Sequence, residues 1–207
     1  RYDLRRIADA GGPVCCEVMT NVLNGLSRLA LGRESVTPTL IDRMYDSESG
    51  LFWPIARPRP KRTPALTWTA LAPLALPDLP EEIGRRLVEE HLLDKNKFWL
   101  PIPPPSVSAS DPKFTVDDSG PLGTRRYWRG PTWINASWLV WLGLIRLGYH
   151  EQAAELVRRI AEPISTHHLR EYHDPYTGRG MGATDFAWSA LVVDMLERDP
   201  RATSSYV

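Results

Sequence analysis

The sequence predicts an all-α fold with long decorated loops. Three observations carry this. Apolar residues recur every three to four positions in several separate stretches, and nothing alternates with a period of two over any useful length. Short connections between helical stretches make neighbouring helices antiparallel. No exact repeat is present, but helix pairs that recur without sequence identity suit a ring of helical hairpins.

The elements follow in order. Over 14–31, Val18, Val22, Leu26, Leu29 and Ala30 form one apolar stripe, and Gly32 is a stop signal. A short helix over 38–45 is led by Thr37 as its cap, then 46–50 reads as a turn and 51–54 as a short extended piece. An apolar helix is expected over 66–76, broken or kinked by Pro73. Pro80 opens an amphipathic helix over 80–93, with Glu81 and Glu82 in the first turn, where the helix dipole favours acids. Residues 97–127 form a proline-rich loop with a turn at 117–120, and a loop of that length inside a compact domain is usually functional. Pro131 then starts the strongest helix, 131–147, with Ile134, Trp138, Trp141 and Ile145 on one face and Gly148 at its end. A helix over 151–161 turns Ala153, Leu156, Val157 and Ile160 inward; a loop rich in aromatics, His and Gly fills 166–184, and an apolar helix covers 185–196.

Composition excludes several classes of function. The chain has 207 residues, with 43% hydrophobic and 24% charged, as in ordinary globular proteins. Its 25 basic and 25 acidic residues cancel, so no global field draws it to nucleic acid or anionic lipid. No run of 18 apolar residues is present, which excludes a membrane-spanning helix. Cys15 and Cys16 are adjacent and cannot staple distant segments, so they are expected to be reduced and buried. With no basic-then-apolar leader visible, this predicts a cytoplasmic protein. No second Cys/His cluster completes a metal site, and His167 and His168 are adjacent rather than one helical turn apart.

Two segments concentrate unusual residues. In Tyr127-Trp128-Arg129-Gly130-Pro131-Thr132-Trp133-Ile134-Asn135 a guanidinium lies between indoles, beside a glycine that permits close backbone approach and just before a helix N-terminus. Trp offers flat faces to sugar rings, and Arg and Asn offer donors to hydroxyls. The same residues also suit a core Trp pair with Arg129 in an ion pair, and both readings stay open. In Glu171-Tyr172-His173-Asp174-Pro175-Tyr176-Thr177-Gly178-Arg179-Gly180-Met181-Gly182 a carboxylate leads a glycine-punctuated loop. A carboxylate among aromatics is a candidate general acid or base. The plainer alternative pairs Glu171 with Arg170 or Arg179 at the surface and reads 174–178 as an ordinary turn. No Gly-x-Ser-x-Gly, phosphate-cradling glycine loop or His-Glu-x-x-His motif competes.

These two segments, followed by Phe186-Ala187-Trp188-Ser189-Ala190, resemble glycoside hydrolase family 63, and within it the bacterial mannosylglycerate and glucosylglycerate hydrolases. The 45–52 segment, the 86–93 helix and Phe98-Trp99 before the prolines add to the resemblance, which runs through most of the chain. It implies an (α/α)6 barrel and an inverting α-glycosidase that needs no metal or organic cofactor. Glu171 matches the family's general base, the residue that activates water. Tyr127, Trp128, Arg129, Gly130, Trp133 and Asn135 carry over to the sugar pocket, and Trp188 is either pocket wall or core. The implied substrate is a small α-glucoside or α-mannoside, glucosylglycerate first.

One element of the family pattern is missing. Its general acid is an Asp in a Gly-x-Asp-Asn-Ser-Pro-like segment upstream of everything matched, and residues 1–207 contain no such segment. Asp117 and Asp118 are not made the acid by the resemblance. Inverting hydrolysis needs two carboxylates about 6.5–9.5 Å apart. The resemblance therefore implies that 1–207 is the C-terminal portion of a single catalytic domain, whose N-terminal half is its structural partner. Half a helical ring would leave an apolar face uncovered. Two other functions stay open: an oligosaccharide-processing α-glucosidase of the same family, and a non-catalytic helical carbohydrate-binding or scaffold protein.

Overall fold

The computed structural model describes residues 9–11, 14–57, 65–117, 119 and 127–198. Asp118, expected in the 117–120 turn, lies outside the described residues, as do the prolines at 58, 60 and 64. Six α-helices are described: α1 (Val18–Ala30), α2 (Thr37–Met44), α3 (Glu81–Leu87), α4 (Ile134–Arg146), α5 (His150–His167) and α6 (Leu191–Arg198). None is long and apolar enough to cross a membrane. Local chemistry explains their limits. Glu17 caps α1 by accepting the Thr20 amide at 2.9 Å. Pro38 occupies the first turn of α2, where its missing N–H costs nothing.

The 66–76 stretch is not α-helical. Residues Trp68–Ala75 form a 3-10 helix of eight residues, long for that type. Pro73 cannot donate to an α-helical ladder, and Trp68 N–H instead donates to the Ser106 carbonyl at 3.2 Å. Small apolar residues let neighbours approach, so α1 and α4 both pack on this segment. The helix read over 80–93 is α-helical only to Leu87 and continues as a π-turn, Val88–Leu92. Helix α5 runs on past 161, through Pro163, to His167. The last stretch divides into a 3-10 turn, Ala187–Ala190, and α6.

The chain is helix-rich but not purely helical. Three two-stranded ribbons pair β1 (Val14–Cys16) with β4 (Ile55–Arg57), β2 (Tyr45–Asp46) with β3 (Leu51–Phe52), and β5 (Arg170–His173) with β6 (Gly180–Thr184). Strands of two to five residues are too short to show a period of two, and β6 carries two glycines. Cys15 and Cys16 are free and exposed, not buried, on the ribbon that β1 forms with β4.

The core joins α1, the 3-10 helix, α4 and α5 through Val22, Leu71, Leu74, Trp141, Leu144, Leu156 and Ile160. On α4 the most buried positions include Ser137, Val140, Trp141 and Leu144, while Trp138 and Ile145 are only half-buried. Trp138 instead ties α4 to α6, its indole N–H donating to Asp194 at 2.7 Å.

The proline-rich stretch is irregular yet threads through this core. Its Ser106 N–H donates to the Pro131 carbonyl at 3.0 Å and its Ser108 N–H to Leu66 at 2.8 Å. Buried Thr132 is the junction. Its backbone bridges Pro105 on one side and His173 on the other, and its hydroxyl donates to the Ile102 carbonyl at 2.5 Å. The tryptophan segment and β5 are thereby locked together through backbone bonds.

Candidate active site

Glu171 sits on β5 at an irregularity in the hairpin. The register runs Arg170↔Thr184 and then Tyr172↔Met181, so Gly182 and Ala183 together stand opposite Glu171. Such a bulge bends the strand and re-aims a side chain. Here it turns the Ala183 N–H onto the Glu171 carboxylate, 3.0 Å from Oε2. Gly182 adopts φ +70, and a Cβ there would stand 2.5 Å from Oε2. The other oxygen, Oε1, accepts the Tyr127 hydroxyl. Glu171 is 8% exposed and makes no ion pair among the described residues. Arg170 donates to the Gly182 carbonyl at 2.8 Å instead, so the surface pairing of Glu171 with a neighbouring Arg does not form.

An aromatic cluster lies against this carboxylate. Trp133 stacks on Trp128 at a centroid distance of 3.9 Å with planes 9° apart, and on Tyr172 at 4.9 Å and 26°. Tyr127 meets Trp133 and Tyr172 edge-on at 5.3 and 5.4 Å. Trp188 tilts against Trp133 at 5.9 Å, and Trp68 stacks behind Trp128 at 6.5 Å. Trp133 is 1% exposed, whereas Trp128 and Trp188 are 36% and 46% exposed. The indoles that reach the surface are therefore those of Trp128 and Trp188, with Trp133 packed against both. Trp188 is thus an exposed residue rather than a core one among the described residues.

The polar members are distributed unevenly. Arg129 is exposed, and its side chain has no ion-pair partner among the described residues. Asn135 is half-buried, and its Oδ1 has no hydrogen-bond partner among them. Gly130 is buried and does permit a close approach, but by the chain itself: a Cβ would stand 2.1 Å from the Thr115 carbonyl oxygen. Asp174 anchors the hairpin turn, accepting the Tyr176 and Thr177 amides at 2.9 and 3.0 Å. Burial holds His173 neutral, its pKa pushed down to about 4, and neither ring nitrogen has a partner among the described residues. No group of three or more His, Cys, Asp or Glu among the described residues could hold a metal ion.

Tyr127 and Glu171 stand apart in the sequence, and nothing there signals that they touch. Gly182 has no role in the sequence pattern beyond the glycine punctuation after Glu171.

Residues 29–189 match the family described as the mannosylglycerate hydrolase MGH1-like glycoside hydrolase domain. Mannosylglycerate hydrolase of Thermus thermophilus is 41% identical over 99 residues, 48% of this chain and 21% of that protein. Mannosylglycerate hydrolase MGH1 of Selaginella moellendorffii is 31% identical over 155 residues, 73% of this chain and 29% of that protein. The crystal structure of a GH63 mannosylglycerate hydrolase from Thermus thermophilus in complex with glucose superposes with a TM-score of 0.77 at 24% identity, over 95% of this chain and 48% of that one. The chain thus spans about half of that solved structure and less of the two curated relatives.

Proposed function

This chain belongs to the mannosylglycerate hydrolase MGH1-like glycoside hydrolases of family 63, and on that premise we propose that it carries the water-activating part of an inverting α-glycosidase site, with Glu171 as general base. The observation that carries this reading is a buried carboxylate, held at both oxygens, beside a tryptophan cluster of which Trp128 and Trp188 are exposed. In the reaction, a water oxygen adds to the anomeric carbon while its proton passes to Glu171. The glycosidic C–O bond breaks, and the leaving oxygen takes a proton from an acid on the opposite face of the ring. That acid is the family's upstream Asp, outside residues 1–207, and the whole site closes when 1–207 packs as the C-terminal portion of an (α/α)6 catalytic domain. Trp128 and Trp188 contact the sugar ring, Arg129 and Asn135 bind its hydroxyls, and Trp133 and Gly130 hold that wall in place.

The substrate in this reading is a small α-mannoside or α-glucoside, mannosylglycerate or glucosylglycerate. The test supplies both, and trehalose, to the full-length protein and follows the first-formed sugar by proton NMR. Release of the β-anomer from one of them is expected. The α-anomer appearing first would overturn inversion, and no release from any of the three would overturn the hydrolase reading in favour of a binding protein.

A further inference from the structure

We propose that Tyr127 and Gly182 are positioning residues that act on the reaction through Glu171, and that Tyr127 is not a sugar contact; this rests on Glu171 being the general base. A carboxylate on a strand swings about its side-chain torsions. It abstracts a proton from water efficiently only when one lone pair is held towards that water. Here two donors fix the carboxylate plane, the Tyr127 hydroxyl at Oε1 and the Ala183 amide at Oε2, 3.0 Å away. Each carboxylate oxygen has a further lone pair, so Oε1 can accept from Tyr127 and still receive the proton of water.

One support carries backbone strain and the other admits only glycine, which marks both as more than packing. Tyr127 has φ +34, in the region that side chains other than glycine rarely adopt. Such strain persists only where the surroundings over-determine it. Here edge contacts to Trp133 and Tyr172 hold the ring while its hydroxyl meets Glu171. Gly182 has φ +70, and a Cβ there would lie 2.5 Å from Glu171 Oε2 and 2.6 Å from Tyr172 Cε1. Any side chain at 182 displaces the carboxylate, the ring behind it, or both.

The test uses the full-length protein and two substitutions, Tyr127→Phe and Gly182→Ala. A misplacement on the order of 1 Å costs up to about 100-fold. Each variant is therefore expected to lose about 10- to 100-fold in kcat with KM within about twofold of wild type. Gly182→Ala can fail to fold; Tyr127→Phe keeps the ring and removes only the hydroxyl. The decisive readout is chemical rescue. Azide is added to Glu171→Ala to attack the anomeric carbon from the vacated face and yield a glycosyl azide of inverted configuration. Adding Tyr127→Phe to Glu171→Ala should leave that rescued rate and its KM unchanged, because the residue it served is gone. A lower rescued rate or a raised KM in the double variant would show that Tyr127 touches the sugar and would overturn this inference alone. Turnover by Glu171→Ala at the wild-type rate without azide would overturn the base assignment, and this inference with it.

Discussion

Replacing Gly130 by Ala should unfold the junction on which the site is built. The added Cβ would stand 2.1 Å from the Thr115 carbonyl oxygen and 2.7 Å from its carbon, where ordinary contact begins at 3.4 Å. The obstacle is backbone, so one of the two segments must move by roughly 1 Å, and overpacking of that kind typically costs about 1–3 kcal/mol. Movement also pulls on two hydrogen bonds, Thr115 N–H to the Arg129 carbonyl at 2.7 Å and Gly130 N–H to the Ser106 hydroxyl at 3.0 Å. Each bond left unmade costs about another 1 kcal/mol. Together these give a loss of about 3–5 kcal/mol, and the stiffer unfolded chain adds less than about 1 kcal/mol in the opposite direction. In urea unfolding of the full-length protein, with a slope of about 2 kcal/mol per molar, the midpoint should fall by roughly 2 M. An unchanged midpoint with only KM raised would refute the reasoning. It would mean that the space beside Gly130 is kept for a ligand rather than filled by Thr115.

Two further predictions concern the same region. Because burial lowers the His173 pKa from 6.5 to about 4, the unfolded chain binds more protons than the folded one between those values. The folded state should therefore keep this contribution above pH 6.5 and lose about 3 kcal/mol as pH falls to 4. His173→Leu should flatten that part of the stability profile in urea midpoints taken from about pH 4 to 8; an unaltered profile would show that another group sets it. Trp188→Ala, at a side chain 46% exposed, should change stability little yet raise KM about tenfold, the scale of one lost aromatic contact. A large fall in thermal midpoint with KM unchanged would place Trp188 in the core instead.

Helices with a clean apolar stripe were legible in the sequence. Ala153, Leu156, Val157 and Ile160 repeat at helical spacing and are all buried on α5. The 66–76 stretch was apolar on every side, so periodicity was silent on whether it was α or 3-10; the missing donor of Pro73 and a partner almost forty residues away decided it. The β5–β6 hairpin escaped because its strands are short and its register depends on a bulge at Gly182, where neither alternation nor β-propensity speaks. Residue type alone places Cys15 and Cys16 inside, but both lie exposed on the two-stranded β1–β4 ribbon. At the candidate site, the ordered motifs name residues that the structure brings together, but not how they are arranged. Trp133 is hidden and Trp188 open because of how rings stack in three dimensions. The contact between Tyr127 and Glu171 spans 44 positions of sequence and depends on the backbone junction at Thr132.

The most direct measurement is kcat and KM of full-length wild type and Glu171→Gln on mannosylglycerate and glucosylglycerate. Gln keeps the shape of Glu and an oxygen that can accept the Tyr127 hydroxyl, but it cannot take a proton from water. A general base predicts a kcat loss of about 10²–10⁴-fold with KM little changed on whichever substrate is turned over. A Glu171→Gln enzyme that turns over at the wild-type rate would contradict the assignment of Glu171 as the base.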